Sequence, residues 1–127
     1  MNEEVTMDTV QEHVNKAAHN RDFLATIPVG SFADWAIVVL FYRALHVTSA
    51  VIHERGDDHG KTHPFRQRAV EKHFSSSNAD AYAQLYSRSR LVRYDQLSAT
   101  QAEYNRLLTD SFVPLLQEAR AVVPELQ

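Results

Sequence analysis

Apolar residues recur at helical spacing along most of this 127-residue chain. In the first segment Val10, Val14, Ala17 and Leu24 fall on one face, which is the pattern of an amphipathic α-helix. A later run, WAIVVLFYRALHVTSAVI, is apolar on most sides, which is typical of the central helix of a bundle. The pattern predicts four or five helices, which we place at about Glu4–Ile27, Phe32–Arg55, Pro64–Phe74, Ala79–Leu97 and Gln101–Val122.

Turn-forming residues separate these segments. Gly56 fits a left-handed cap at the end of the second helix, and Pro64 fits the first turn of the third. SSSN is interpreted as the end of the third helix, and Pro114 predicts a bend in the last one. The N-caps that we expect are Ser31 with Asp34, Thr62 or His63, and Ser98 with Gln101. Short connections between long helices favour an all-α, antiparallel up-and-down bundle, formed as one domain over residues 1–127.

Composition supports a soluble helical protein. The chain is 44% hydrophobic and 23% charged, and it contains only 3 glycines and 4 prolines. Cysteine is absent, which excludes disulfides and thiolate metal sites. The first residues, MNEEVTMDTV, lack the features of a secretory signal, and Arg43 and His46 interrupt the longest apolar run. We therefore expect a cytoplasmic protein with no membrane span.

Positive charge is concentrated in one stretch, although the formal net charge is −3. The segment YAQLYSRSRLVRYD, from Tyr82 to Asp95, carries Arg88, Arg90 and Arg93. Arg90 and Arg93 share a helical face, and two neighbouring guanidinium groups repel each other unless an anion or carboxylates lie between them. A phosphate-binding arginine pair is one interpretation. A salt-bridge network with Asp95 and Glu103 is the alternative.

Polar residues also interrupt the second and third helices. Tyr42, Arg43, His46 and His53 fall on one face of the second helix, where a structural hydrogen-bonded histidine is the alternative to a functional one. His63 and Arg66 lie three residues apart at the start of the third helix, where the helix dipole favours anions. Further along, Arg68 and His73 fit a solvated basic face.

A metal site is a separate hypothesis. Between His53 and His63 the chain also carries Glu54, Asp57, Asp58 and His59, and three histidines with a water would suit zinc. No HExxH pattern or compact ligand pair is present, so we expect no metal and no other cofactor. Glycine-rich phosphate loops and GxSxG elbows are absent as well.

Three motifs occur in the order found in one family. DW and FYxALH lie on the second helix, HxxR opens the third, and LYxxSRxxRY lies on the fourth. Together they span about Asp34 to Asp95, roughly half of the chain, and there the sequence resembles small bacterial and archaeal HEPN-like proteins (higher eukaryotes and prokaryotes nucleotide-binding).

The resemblance implies a helical bundle that commonly forms homodimers and binds RNA or nucleotides. Many such proteins are metal-independent endoribonucleases of toxin–antitoxin or defence systems, with an antitoxin or other partner protein. Their pattern of an arginine, four to six residues and a histidine is absent after Arg88, Arg90 and Arg93. Arg66 and Arg68 with His73 satisfy the spacing, but on the third helix and not on a late one.

On this basis we expect one cleft with anion-binding character. Its candidate catalytic residues are His46, His63, Arg66, Arg90 and Arg93, and its candidate anion-binding residues are Tyr42, Ser89 and Tyr94. A histidine would act as the general base and the arginines would stabilise charge on the phosphate. The alternatives are a non-catalytic interaction or scaffold module and a metal-binding helical-bundle hydrolase.

Overall fold

The structure is a computed structural model that describes residues 9–94 and 98–127. Within these residues it contains α-helices and one π-helical segment but no strand, so the predicted all-α bundle is confirmed. The elements are α1 (Val10–Leu24), α2 (Val29–Glu54), α3 (His63–His73), α4 (Ser76–Tyr94), α5 (Gln101–Arg106), the π-helical segment Leu107–Phe112 and α6 (Val113–Arg120).

The long helix α2 is the centre of the bundle. It packs against α1, α3, α4, α5 and α6. Ala36, Ile37, Leu40, Ala44 and Val47 on it are fully buried, as the apolar sequence of this helix predicts.

By length and composition alone, α2 is also apolar enough to cross a membrane. However, 78% of its apolar window is buried inside the bundle, which is the environment of a core helix.

Threonine caps define the starts of three helices. Thr9 and Glu12 form a capping box at the start of α1, which begins at Val10. The predicted start at Glu4 falls outside the described residues. Thr62 caps α3, as expected. Thr100 caps α5 through the backbone N–H of Glu103, so the predicted cap at Ser98 is wrong.

Two further boundaries differ from the prediction. α2 begins at Val29 after Pro28, with no side-chain cap. The expected start near Phe32 with a Ser31 cap is therefore wrong, although Phe32 has non-helical backbone angles that kink the helix.

Of SSSN only Ser75 lies between the helices, because α4 begins at Ser76 and not at Ala79. Its start is stabilised by the Glu118 carboxylate, which accepts hydrogen bonds from the backbone and side chain of Ser75 and from the side chain of Asn78. Ser75 is itself the N-cap, since its hydroxyl accepts the backbone N–H of Asn78 at 3.2 Å. The sequence shows this serine but not its contact with Glu118, which lies on α6. The predicted end of α4 at Leu97 falls outside the described residues.

The predicted bend at Pro114 is preceded by a longer irregularity, the π-helical segment Leu107–Phe112. In the π-helical segment the N–H of Val113 donates to the carbonyl of Leu108, five residues earlier. Pro114 has no N–H for the carbonyl of Asp110, and its ring disfavours the normal α-helical turn before it. The wider turn accommodates the proline without ending the helix.

Candidate anion-binding surface

A group of basic and aromatic side chains meets where α2, the start of α3 and the second half of α4 come together. We call this group the basic–aromatic surface, and it consists of Tyr42, His63, Arg66, Tyr86, Arg90, Arg93 and Tyr94. Six of these seven residues were predicted site residues. They lie on α2, α3 and α4, the three helices on which the sequence motifs occur.

Arg93 joins α4 to α2. Its Nη1 donates a hydrogen bond of 2.8 Å to the hydroxyl of Tyr42. Its guanidinium carbon lies 4.5 Å from the ring centre of Tyr94, within the range of a cation–π interaction. Tyr42 is 39% exposed and Tyr94 is 62% exposed, so both rings beside this guanidinium are partly accessible to solvent.

Arg90 extends the same surface towards α3. Its guanidinium carbon lies 5.4 Å from the ring centre of Tyr94, and its Nη1 lies 3.5 Å from the hydroxyl of Tyr86. The distance to Tyr86 is at the outer limit of a hydrogen bond, so it holds the guanidinium only weakly. Arg90 therefore keeps most of its donors for another partner.

His63 lies against Tyr86 at the start of α3. The two rings stack with centres 3.3 Å apart and an interplanar angle of 8°. Burial lowers the pKa of His63, and the positive charges of Arg66 and Arg90 lower it further. The imidazole is thus held neutral near neutral pH, which is the state that accepts a proton.

The arginines of this surface have no internal carboxylate in the described part of the chain. Among residues 9–94 and 98–127, the ion pairs do not involve Arg66, Arg90 or Arg93. Glu103, one expected partner, instead pairs with Arg88 on a different side of α4. Asp95, the other, lies outside the described residues.

Three nitrogen atoms of this surface lack protein partners. The Nε atoms of Arg66 and Arg93 and the Nδ1 atom of His63 are buried without a hydrogen-bond partner among the described residues. Buried polar atoms are normally hydrogen-bonded, so each of these is a position where a bound group could supply the missing contact.

Two predicted site residues do not belong to this surface. Ser89 is fully buried, and its hydroxyl donates to the carbonyl of Tyr86 at 2.9 Å because this residue lies on the core-facing stripe of α4. His46 faces α1, where its Nδ1 lies 3.0 Å from Nδ1 of His13. The helical spacing from Tyr42 to His46 was correct, but the two side chains meet different neighbours.

The histidine of the Arg-x4–6-His spacing on α3, His73, makes a structural contact. The Nε2 atom of His73 lies 2.8 Å from a carboxylate oxygen of Asp57, which joins the end of α3 to the loop after α2. His73 is the last residue of α3 and His63 the first, so their backbones are roughly 15 Å apart. Arg66 lies one turn from His63, about two turns or roughly 10 Å before His73, and His73 is held by Asp57.

Sequence reasoning did not single out Tyr86 as a site residue. The signal was present, because Tyr86 lies four residues before Arg90 and so shares its face of α4. The stacking on His63 could not have been predicted, since it depends on how α3 packs against α4.

A second group of ionisable residues lies further along α2, towards its C-terminal end, where α1 and the following loop pack against it. We call His13, His46, His53 and His59 the histidine cluster. The ligand atoms of His13, His53 and His59 lie within 4.8 Å of one another, and these three residues could hold a metal ion.

Comparison of the sequence with protein-family models and with curated proteins finds no match to either.

Proposed function

We propose that the basic–aromatic surface binds the phosphate groups of RNA or of a nucleotide. The observation that carries this proposal is the grouping of Arg66, Arg90 and Arg93 with no carboxylate partner among the described residues. Guanidinium groups without counter-ions repel one another, and a phosphate placed between them would offset that repulsion through charge-assisted hydrogen bonds.

The exposed tyrosines favour a nucleic-acid ligand over a bare phosphate. Tyr42 and Tyr94 lie beside Arg93 and expose part of their rings to solvent. Single-stranded nucleic acids are commonly bound by basic grooves in which bases stack on aromatic rings, at about 1–3 kcal/mol per base. The resemblance to HEPN-like proteins points to the same class of ligand.

A ribonuclease activity is the further step of this proposal. His63 is the histidine of the surface, and its lowered pKa suits a general base that takes the proton of a ribose 2′-hydroxyl. The 2′-oxygen would then attack the adjacent phosphorus, the bond between phosphorus and the 5′-oxygen would break, and the leaving 5′-oxygen would take a proton from water. Arg66 and Arg90, whose charges act on His63, would stabilise the negative charge that develops on the phosphate. No step in this scheme uses a metal ion. The alternative is a non-catalytic module that binds the same ligand without cleaving it.

Binding is tested by titrating a fluorescent single-stranded RNA, and separately ATP, with the wild-type protein and the Arg93→Ala variant. Losing one charge-assisted contact should weaken binding by about tenfold and reduce the salt dependence by roughly 0.7 of a slope unit for single-stranded RNA. Arg106→Ala is the matched control, since Arg106 is an exposed arginine of α5 outside this surface. Equal affinities of the two variants would contradict the proposal.

Cleavage is tested with the same RNA in the presence of a chelator. The wild-type protein should cleave it, and His63→Gln should bind it with similar affinity but leave it intact. Binding without cleavage by the wild-type protein would remove the ribonuclease step and support the non-catalytic module.

We also propose that the chain forms a homodimer. Exposed aromatic side chains lie at the end of the bundle where α1 leads into α2, namely Phe23, Phe32 and Trp35, which are 52%, 48% and 55% exposed. Large apolar rings in solvent are typical of interfaces with another protein. Sedimentation should give a dimer at micromolar concentration that Trp35→Glu dissociates. A wild-type monomer would contradict this.

A further inference from the structure

The histidine cluster brings together imidazoles from three separate parts of the chain. His13 lies on α1, His53 in the last turn of α2, and His59 in the loop between α2 and α3. The ring centres of His13 and His53 are 5.3 Å apart, those of His53 and His59 are 4.9 Å apart, and those of His13 and His59 are 5.2 Å apart. Every pair is therefore in contact, which makes a triangle of nitrogen donors.

The separations are close to those of a metal site. The three ligand atoms lie within 4.8 Å of one another. Nitrogens bound to one tetrahedral zinc ion at 2.0–2.1 Å are about 3.3 Å apart. Binding of one ion therefore requires the ligand nitrogens to approach one another by up to about 1.5 Å.

The hydrogen bonds of two of these rings suit metal ligation. Nδ1 of His59 lies 2.6 Å from the carbonyl oxygen of Gly60 and so carries the proton that it donates, which leaves the ligand lone pair on Nε2. Nδ1 of His13 lies 3.0 Å from Nδ1 of His46. When His13 is the donor of this pair, its lone pair is also on Nε2. Metal-bound histidines typically donate their other N–H in this way, which fixes the ring orientation.

The loop that carries His59 is held in one conformation. Gly60 has φ of +80°, which favours glycine, and a Cβ atom there would lie 2.3 Å from the ring of Phe65. The backbone N–H of Gly60 donates to the Asp58 carboxylate at 2.9 Å. His59 is 7% exposed and His13 is 3% exposed, so the loop presents its imidazole to an interior position.

We propose that His13, His53 and His59 bind one divalent transition-metal ion of the zinc class, with His46 as the residue that orients His13. Three neutral imidazoles without thiolate or carboxylate ligands suit Zn²⁺, Co²⁺, Ni²⁺ or Cu²⁺ and not Mg²⁺ or Ca²⁺. The ion ties α1 to the end of α2 and to the following loop. This site is separate from the basic–aromatic surface and does not depend on the proposed RNA binding.

A metal site at these histidines differs from the expectation of no metal in the sequence analysis. That expectation relied on ligand spacing along the chain, and His13 lies forty residues before His53. Ligands from three elements have no compact motif, so only the packing of α1 on α2 brings them together.

The experiment uses the full chain without an affinity tag, treated with a chelator and then dialysed. Titration with Co²⁺ should give saturable visible absorption bands of a low-coordinate site at one ion per chain, and Zn²⁺ should displace them. A hundredfold excess of Zn²⁺ over its Kd should raise Tm by roughly 5–10 °C, since the ion binds the folded state.

Variants assign the ligands. His53→Gln and His59→Gln should weaken Zn²⁺ binding by at least a hundredfold, and His46→Gln by about tenfold, as expected for a residue that orients a ligand. His19→Gln is the control, because His19 is an exposed histidine of α1 outside the cluster, and it should bind as the wild-type protein does.

Two results would overturn the proposal. One is a wild-type protein with neither stoichiometric Co²⁺ bands nor a Zn²⁺-dependent rise in Tm, a test that requires no variant to fold. The other is unchanged affinity in both His53→Gln and His59→Gln, which would indicate that the ion binds elsewhere.

Discussion

The two ends of α3 both carry basic residues, but only one end neutralises them within the described residues. At the C-terminal end, Lys72 and His73 both contact the Asp57 carboxylate, at 3.1 Å and 2.8 Å. At the N-terminal end, His63 and Arg66 face Arg90, and no carboxylate of the described residues pairs with these arginines.

The helix dipole increases this difference. Cations are favourable at the C-terminus of a helix and unfavourable at its N-terminus, by about 0.3–1 kcal/mol each at exposed positions. At the paired end, the cations interact favourably with the helix dipole and with a carboxylate. At the unpaired end, the positive charges of the arginines are unfavourable both to one another and to the helix dipole. A bound anion would offset both unfavourable interactions at the unpaired end, and mutations at the two ends of α3 should therefore have different effects.

The largest effect is expected at the unpaired end. Replacing Arg66 and Arg90 by glutamine should weaken RNA binding by about a hundredfold, because two charge-assisted contacts of about 1.5 kcal/mol each are lost. Thermal stability should not fall, since the change also removes repulsion between neighbouring cations. Fluorescence anisotropy and thermal melting measure the two quantities.

The matched control for this variant is Lys72→Gln at the paired end. It should leave RNA affinity unchanged, because Lys72 interacts with Asp57 and lies at the far end of α3. If both variants weakened RNA binding equally, the attraction would come from the overall charge of the protein and the contrast between the ends would be lost.

A smaller effect on stability is expected next to the paired end, where Glu118 holds Ser75, the N-cap of α4. Glu118→Ala removes three hydrogen bonds to Ser75 and Asn78 at the start of that helix. The free energy of unfolding should fall by about 1–2 kcal/mol, because the N-cap serine loses the acceptor that positions it. Urea denaturation measures the loss, and Glu125→Ala, at an exposed position, should show none.

Acid should weaken the paired end. The hydrogen bond from His73 lowers the pKa of Asp57, with contributions from the backbone of Asp58 and from Lys72. Burial acts against the charged form of Glu118, but the hydrogen bonds from Asn78 and Ser75 outweigh it, so that its pKa is lowered as well. A lowered carboxyl pKa stabilises the fold above about pH 4 and loses that contribution as pH falls through the folded-state value.

This acid dependence is measured by urea denaturation between pH 2 and pH 7. Asp57→Asn should be less stable at pH 7 and should lose less stability on acidification than the wild-type protein does. Asp110→Asn, at an exposed site of the π-helical segment, should follow the wild-type curve. An Asp57→Asn variant with the wild-type acid dependence would show that this carboxylate does not stabilise the paired end.

Sequence predicted the helices well because each depends mainly on its own residues. The apolar surface of α2, the Gly56 cap with φ of +76° and the start of α3 after Thr62 all follow from local patterns. The start of α4 was missed because SSSN was interpreted only as the end of α3, although Ser75 caps α4 through the backbone N–H of Asn78. The capping box of Thr9 and Glu12 was readable but was overlooked in favour of an earlier start.

The candidate site was predicted only in part, because local spacing within a helix can be read from the sequence but contacts between helices cannot. Helical spacing placed Arg90 and Arg93 on one face of α4, and the contact of both guanidinium groups with the ring of Tyr94 agrees with that. Spacing also grouped Arg43 with Tyr42, yet the Arg43 guanidinium lies 4.4 Å from the ring centre of Phe112. Which neighbour a side chain meets depends on helix packing, and periodicity carries no information about that.

The smallest expected effect is the titration of His63, which reports directly on the unpaired end. Burial and the charges of Arg66 and Arg90 lower its pKa from the usual value near 6.5. In the double glutamine variant the two charges are gone, so the pKa should rise towards the usual value while the effect of burial remains. A bound phosphate should raise the pKa of the wild-type histidine as well, because an anion favours the imidazolium form.

The unfolded chain takes up this proton at a higher pH than the folded chain does, so stability should decrease as pH falls below about 6.5, and His63→Gln should reduce that decrease. NMR titration of the histidine ring protons measures each shift. A His63 pKa that responds neither to the double variant nor to phosphate would mean that the charges at the two ends of α3 do not differ in the way proposed.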